Sequence, residues 1–274
     1  MIHFFLHIPQ SAGTSLREAI AANYSEEQLL RVYGGELNFW PPNVAFIQEI
    51  SRRIGVLRAV FGHYSFGAHH LAGLNDVVYS TVLREPAARI RSFYLHQQRE
   101  HGSRLHSLIH AGMSLKTLVE ARMAPEFNNF AVRVLSTDAS LVRAVLGPHG
   151  VTPGNAANCN YLRSGLGFAD GLLHGDAGPY DQLFHRSHLV RALDNIQNHF
   201  CFVGIAERLA ESSKGLYDGL GWTFRQSDIQ HLNPAPEGSW KMDSATLDAI
   251  HEYNALDYEL YERFSDLSFR NFSR

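Results

Sequence analysis

Residues Ile2-His3-Phe4-Phe5-Leu6-His7-Ile8-Pro9-Gln10-Ser11-Ala12-Gly13-Thr14-Ser15 decide the fold. The apolar run Ile2–Ile8 is short, aromatic and β-branched, which predicts a strand covered on both faces. Pro9 ends it, because it has no N–H to offer a ladder. Ser11, Ala12 and Gly13 let a backbone approach an anion closely. Thr14 and Ser15 add hydroxyl donors at the start of a helix, where the helix dipole favours negative charge. A strand, a small-residue loop and a helix in that order form the first crossover of an α/β fold, with a loop suited to phosphate. The plain alternative is a strand-to-helix turn that Thr14 merely caps. The G-x-x-x-x-G-K-[ST] pattern is absent.

The rest of the chain repeats this alternation. Strands are expected at Ile2–Ile8, Arg58–Gly62, Val77–Leu83 and Cys201–Gly204. Helical spacing recurs at Thr14–Ala22, Pro86–Gln98, Leu115–Arg122, Glu126–Ser136, Leu189–Asn198 and Arg208–Leu220. A last helix is expected over Ser244–Phe264, capped by Asp243 or Ser244, with Leu247, Ile250, Tyr253, Leu256, Leu260 and Phe264 on one stripe. This pattern predicts an α/β fold: a P-loop-like parallel β-sheet flanked by helices, in a three-layer αβα sandwich. Residues 1–274 are expected to form a single domain, with an irregular insertion at about 146–181 serving as a substrate-side wall or lid. A second loop, Ser227–Trp240, precedes the last helix.

The chain has 274 residues, of which 45% are hydrophobic and 19% charged, enough for a full core. Its formal charge of −3 argues against a mainly electrostatic nucleic-acid binder. Lysine occurs only at Lys116, Lys214 and Lys241, so arginine carries most of the positive charge. That skew suits bidentate phosphate or sulfate recognition, and a biased genome produces it equally well. Cys159 and Cys201 alone imply no disulfide framework. No stretch approaches the roughly 18 apolar residues of a membrane span, and no basic leader precedes the first strand. The expectation is a cytoplasmic protein.

Two further segments bear on chemistry. In Leu83-Arg84-Glu85-Pro86-Ala87-Ala88-Arg89-Ile90-Arg91-Ser92-Phe93-Tyr94, Pro86 opens a helix at its tolerated first turn. Arg84 then sits at the carboxyl end of a strand, the usual ligand edge of an open α/β sheet. Pairing with Glu85 would account for Arg84 equally well. In Phe61-Gly62-His63-Tyr64-Ser65-Phe66, His63 follows another strand; a histidine there suits a general base, and a structural hydrogen bond is the commoner use.

In combination, these segments resemble the sulfotransferases that use 3′-phosphoadenosine 5′-phosphosulfate (PAPS), particularly the branch of heparan sulfate 2-O-sulfotransferases and their bacterial relatives. The family's H-I-P-K-[ST]-x-G-[ST]-[ST] loop matches His7, Ile8, Pro9, Ser11, Gly13, Thr14 and Ser15. Its L-R-[DE]-P-x-x-R-x-x-S-x-[YF] segment matches Leu83, Arg84, Glu85, Pro86, Arg89, Ser92 and Tyr94. Its G-H-x-[ST]-[FY] segment matches Gly62, His63, Ser65 and Phe66. Phe202–Arg208 is similar to its late strand and Asn254–Tyr261 to its closing helix. The resemblance implies that Pro9, Gln10, Ser11, Ala12, Gly13, Thr14 and Ser15 hold the 5′-phosphosulfate and that Arg84 and Ser92 hold the 3′-phosphate. It further implies that His63 is the catalytic base, that Gln10 lies beside the bridging oxygen, and that no metal is needed. The partner is then an acceptor hydroxyl on a glycan or small molecule, with no nucleic acid.

Gln10 departs from the pattern, which has Lys there. Three explanations stay open: Arg17 reaches in, the enzyme is slow, or the chain binds PAPS or its product without transferring sulfate. A P-loop nucleotide kinase is a further alternative, but it would need a loop Lys and acidic magnesium ligands. His96, His101, His106 and His110 invite a metal reading, yet His-Glu-x-x-His is missing and a solvated helical face explains them. His69-His70 is expected to line the acceptor pocket or to fill a loop. Arg89, Arg91, Arg99 and Arg104 are either an acceptor groove or a solvated helix face, and Asn128 with Asn129 either face the acceptor or cap a helix.

Overall fold

The computed structural model describes residues 1–33, 44–103, 105–137, 185–220, 222 and 241–265. The insertion at about 146–181, the 227–240 loop, Arg104 and Cys159 lie outside them. Five parallel strands run β1 (Ile2–Leu6), β2 (Leu29–Val32), β3 (Ala59–Gly62), β4 (Val77–Leu83) and β5 (Phe200–Ile205), in the sheet order 2-3-1-4-5. β1 is therefore central, and the loop behind it opens at the middle of the sheet's carboxyl edge. Helices alternate with the strands: α1 (Gly13–Ala21), α2 (Val44–Arg53), α3 (Ala68–Leu71), α4 (Pro86–Arg99), α5 (His106–His110), α6 (Leu115–Glu120), α7 (Phe130–Leu135), α8 (Arg186–His199), α9 (Leu209–Leu220), α10 (Ser244–Tyr253) and α11 (Ala255–Ser265).

The period-2 alternation of each strand divides the core between two layers. Phe4, Leu6, Leu30, Val60 and Val203 join Phe46, Ile50, Phe130, Val132, Ile196 and Leu260 on one face. Phe5, Leu29, Phe61, Val82 and Phe202 join Leu16, Ile20, Leu216 and Tyr217 on the other. The sheet is thus covered on both faces by helices, which is why its strands read as continuous apolar runs. A third cluster ties α4, α5, α6 and α10 together around Phe93, Leu118, Phe127 and Ile250.

Two expected helices are broken. Glu126–Ser136 resolves into a 3₁₀ turn at Pro125–Phe127 and α7, with Asn129 between them at φ 46°. The closing helix divides at Asn254. The two breaks hold each other. Asn254 Oδ1 accepts from Asn129 N at 2.9 Å, and Asn129 Oδ1 accepts from Leu256 N at 2.9 Å. Asp257 accepts from Ala131 N at 3.0 Å and Val132 N at 2.8 Å, so it caps α7 across the fold. It also lies 3.5 Å from Arg89, which is 1% exposed, donates to Glu126 O at 2.9 Å, and sits over the Phe130 ring. Arg89 and Asn129 are therefore core clamps rather than acceptor-facing groups. Asp243 caps α10 through Thr246 N at 2.8 Å, as expected.

Candidate active site

The register of the sheet builds the site. Leu6 and Val32 both pair with Gly62, so the next residue on each strand emerges in one row: Tyr33, His63, His7. His7 N donates to Gly62 O at 2.9 Å and His63 N to Val32 O at 3.1 Å, extending the ladders by one step. Gly62 permits this crowding: at φ 152°, a Cβ would lie 2.4 Å from Val32 O. His63 Nε2 is then 3.0 Å from His7 Nδ1, and the same nitrogen is 2.6 Å from the Tyr33 hydroxyl. The His7 ring stacks on Phe61, and its buried Nε2 has no hydrogen-bond partner among the described residues.

Burial controls the electrostatics of this row. It lowers the His63 pKa to about 4. It holds His7 well below the ordinary histidine value, helped by nearby His63 and by the charge of Arg17. Both rings are therefore neutral near pH 7, and His63 can take up a proton there. Burial also raises the Tyr33 hydroxyl well above its usual range.

The loop after β1 is bent by two non-glycine residues in the left-handed region, Gln10 at φ 66° and Ala12 at φ 57°. Such conformations cost about 1–3 kcal/mol each and collect at functional sites. Left-handed residues spaced this way turn successive N–H groups toward a common point. The N-cap position of α1 is Ala12, whose side chain makes no capping bond, so Thr14 is not at the N-cap. Ser11 faces inward: its N–H donates to Ile8 O at 3.1 Å and its hydroxyl is fully buried. Gly13 packs under the His7 ring, and a Cβ there would lie 1.9 Å from His7 Nε2.

Arg84, Ser92 and Gln10 converge although they are far apart in sequence. Arg84 Nη1 donates to Gln10 O at 2.8 Å, and Ser92 Oγ donates to Gln10 Oε1 at 2.8 Å. Arg84 is 29% exposed, and burial lowers its pKa against the raising influence of Glu207 and Glu85. Glu85 is the N-cap of α4, accepting from Ala87 N and Ala88 N, so it does not fork Arg84. Pro9 lies between the histidine row and this loop. The loop, Arg84, Ser92 and the His63 row thus share the carboxyl edge of β1, β3 and β4.

Arg17 forks Glu18 at 3.0 Å and 3.1 Å, on the His7–Tyr33 side of the loop. His69 is buried against Tyr79, its Nδ1 2.8 Å from the hydroxyl, and belongs to the core. The rings of His101, His106 and His110 neighbour one another in turn, with centroids 4.7 Å and 4.2 Å apart and planes tilted by 56° and 40°. Among the described residues, no group of three His, Cys, Asp or Glu side chains is arranged to hold a metal ion. None of their helices is long and apolar enough to cross a membrane.

Two residues at the site had no sequence-based role. Tyr33 was hidden because β2 is only four residues long; the signal was Leu29-Leu30-Arg31-Val32, with Tyr33 one step beyond. Glu207 lies two residues past β5, and its Oε1 is 3.8 Å from Arg84 Nε.

No protein-family profile matches the chain, and no curated protein matches it. Among solved structures it is similar to a sulfotransferase from Alicyclobacillus acidocaldarius, at 14% identity and a TM-score of 0.44, over 98% of each chain.

Proposed function

We propose that this chain is a sulfotransferase that moves a sulfuryl group from PAPS to an acceptor hydroxyl, on a carbohydrate or another small molecule, with His63 as general base. The observation that carries the proposal is the meeting of Arg84 and Ser92 on Gln10, at the mouth of the strained loop and beside the histidine row. An arginine and a serine beside a loop of turned N–H groups suit a nucleotide with phosphates at both ends.

In this proposal the N–H groups of Ala12 to Ser15 hold the 5′-phosphate at the head of α1, while the Ser11 N–H closes the turn. Arg84 and Ser92 hold the 3′-phosphate, which separates PAPS from an ordinary adenylate. His63 accepts the proton of the acceptor hydroxyl as that oxygen bonds to sulfur. The sulfur–oxygen bond to the nucleotide phosphate breaks, and the phosphate keeps the electron pair. General-base help of this kind is worth about 10²–10⁴-fold. Gln10 offers a hydrogen bond beside the leaving oxygen but no charge. With a formal charge of −3, the chain favours a neutral or weakly charged acceptor over a polyanion.

A second reading follows from Gln10 itself. Its side chain is committed to Ser92, which suits a protein that binds PAPS or its product without turnover. Sulfur-labelled PAPS with a panel of glycan, lipid and small-molecule hydroxyls separates the two. Transfer that is lost in His63→Ala supports the enzyme. Tight nucleotide binding without transfer favours the binder, and ATP-dependent phosphorylation of an acceptor sinks both.

A further inference from the structure

We infer that Glu207 is a positioning residue for Arg84, and that through Arg84 it sets the preference for an adenine nucleotide with a 3′-phosphate over the same nucleotide without one. The inference rests on the proposal that Arg84 is the 3′-phosphate ligand.

Ile205 of β5 pairs with Leu83 of β4, so the residues just beyond these strands meet. Glu207 sits in the 3₁₀ turn Ala206–Arg208 and touches three elements. Its Oε1 accepts from Glu85 N at 3.2 Å, which ties it to the start of α4. The same oxygen lies 3.8 Å from Arg84 Nε. Its Oε2 accepts from the Tyr261 hydroxyl of α11 at 3.1 Å. The carboxylate is therefore held by a backbone N–H and a phenol, and it presents a fixed face to one edge of the Arg84 guanidinium. Gln10 O takes the opposite end of that fork, through Nη1 at 2.8 Å.

The pair is too exposed to matter much for stability, at 29% and 37%. Its consequence is geometric. A guanidinium is a planar fork that matches a phosphate in two bonds only when its plane is correctly turned. The hydrogen bond to Gln10 O at one end and the held Glu207 charge 3.8 Å from the other bias that plane before any ligand arrives, which lowers the ordering cost on binding. The charge of Glu207 also opposes an incoming anion, so positioning and repulsion make opposite predictions for its removal.

The test measures calorimetric affinities of the full chain for 3′-phosphoadenosine 5′-phosphate and for adenosine 5′-monophosphate. The native chain is expected to prefer the bisphosphate, and Arg84→Ala to abolish that preference. Glu207→Ala is expected to weaken the bisphosphate about tenfold, the scale of one charge-assisted bond, and to leave the monophosphate within about twofold. Tyr261→Phe, which keeps the carboxylate but releases one oxygen, is expected to shift the ratio in the same direction by less. A parallel loss for both nucleotides would reduce Glu207 to a structural brace, and tighter bisphosphate binding would make it a repulsive gate; either overturns the inference. Loss of preference in Arg84→Ala but not in Glu207→Ala overturns it while leaving the Arg84 assignment intact. A native chain with no preference overturns the assignment and the inference together.

Discussion

His3 lies in the central strand β1, 4% exposed, with its ring stacked on Phe5 and its Nε2 against the Ser80 hydroxyl. Burial lowers its pKa from 6.5 to about 3. The unfolded chain therefore binds a proton at His3 over a pH range in which the folded chain does not. The stability contributed by the neutral ring is fully present above the unfolded value and is lost as pH falls toward the folded one. Linkage gives a loss of about 2 kcal/mol from this residue between about pH 7 and about pH 5. That is a large part of the total stability of roughly 5–15 kcal/mol typical of a domain. His7 and His63 act in the same direction, so the native chain should lose more than His3 alone accounts for. Urea unfolding followed by circular dichroism at both pH values, for the native chain and for His3→Gln, isolates the contribution. Gln does not titrate, so its loss across the interval should be smaller by about 2 kcal/mol. Equal losses in the two chains would refute the reasoning, whatever their absolute stabilities.

Gln10→Lys should raise turnover about ten- to a hundredfold in the labelled-PAPS assay, the scale of one added charge-assisted bond at the leaving oxygen; an unchanged rate would remove Gln10 as the bottleneck. Asp257→Asn should destabilise the chain by about 3–5 kcal/mol in urea, because Arg89 is left as a buried charge and the α7 cap is impaired; Arg89→Met added to it should recover part of the loss. Activity should fall with decreasing pH only as His63 is protonated, near pH 4 in the free protein rather than near 6.5, so a profile of kcat/KM with its acid limb at the ordinary histidine value would count against His63 as the base.

The fold was legible because a buried parallel strand betrays itself by composition. Ile2–Leu6, Ala59–Gly62, Val77–Leu83 and Phe200–Ile205 are dense apolar runs, each found within a residue or two of its end. β2 was not found, since Leu29–Val32 has four residues with an arginine among them, and its pairing to β3 is a long-range fact. The breaks at Asn129 and Asn254 were illegible for the same reason. Helical periodicity runs through both positions, and the breaks hold because each asparagine supplies bonds to the other segment. The candidate site residues Gln10, His63, Arg84 and Ser92 stood out through the resemblance of their segments to one family; Gln10, His63 and Arg84 also lie at loop or strand-end positions, where function collects, whereas Ser92 lies within α4. What sequence could not supply was how they connect: Ser92 holding Gln10, His7 behind His63, Glu207 beside Arg84.

Gly13 shows what such connections imply for the molecule as a working part. The loop and the His7 ring interlock with no spare volume between them, and His7 in turn bears on His63. In the proposed roles, donor grip and acceptor activation are therefore not separately adjustable. A wider loop able to take a bulkier anion would be obtained only by rotating the imidazole beside the base, so a lineage exploring new donors would lose aim before it gained room.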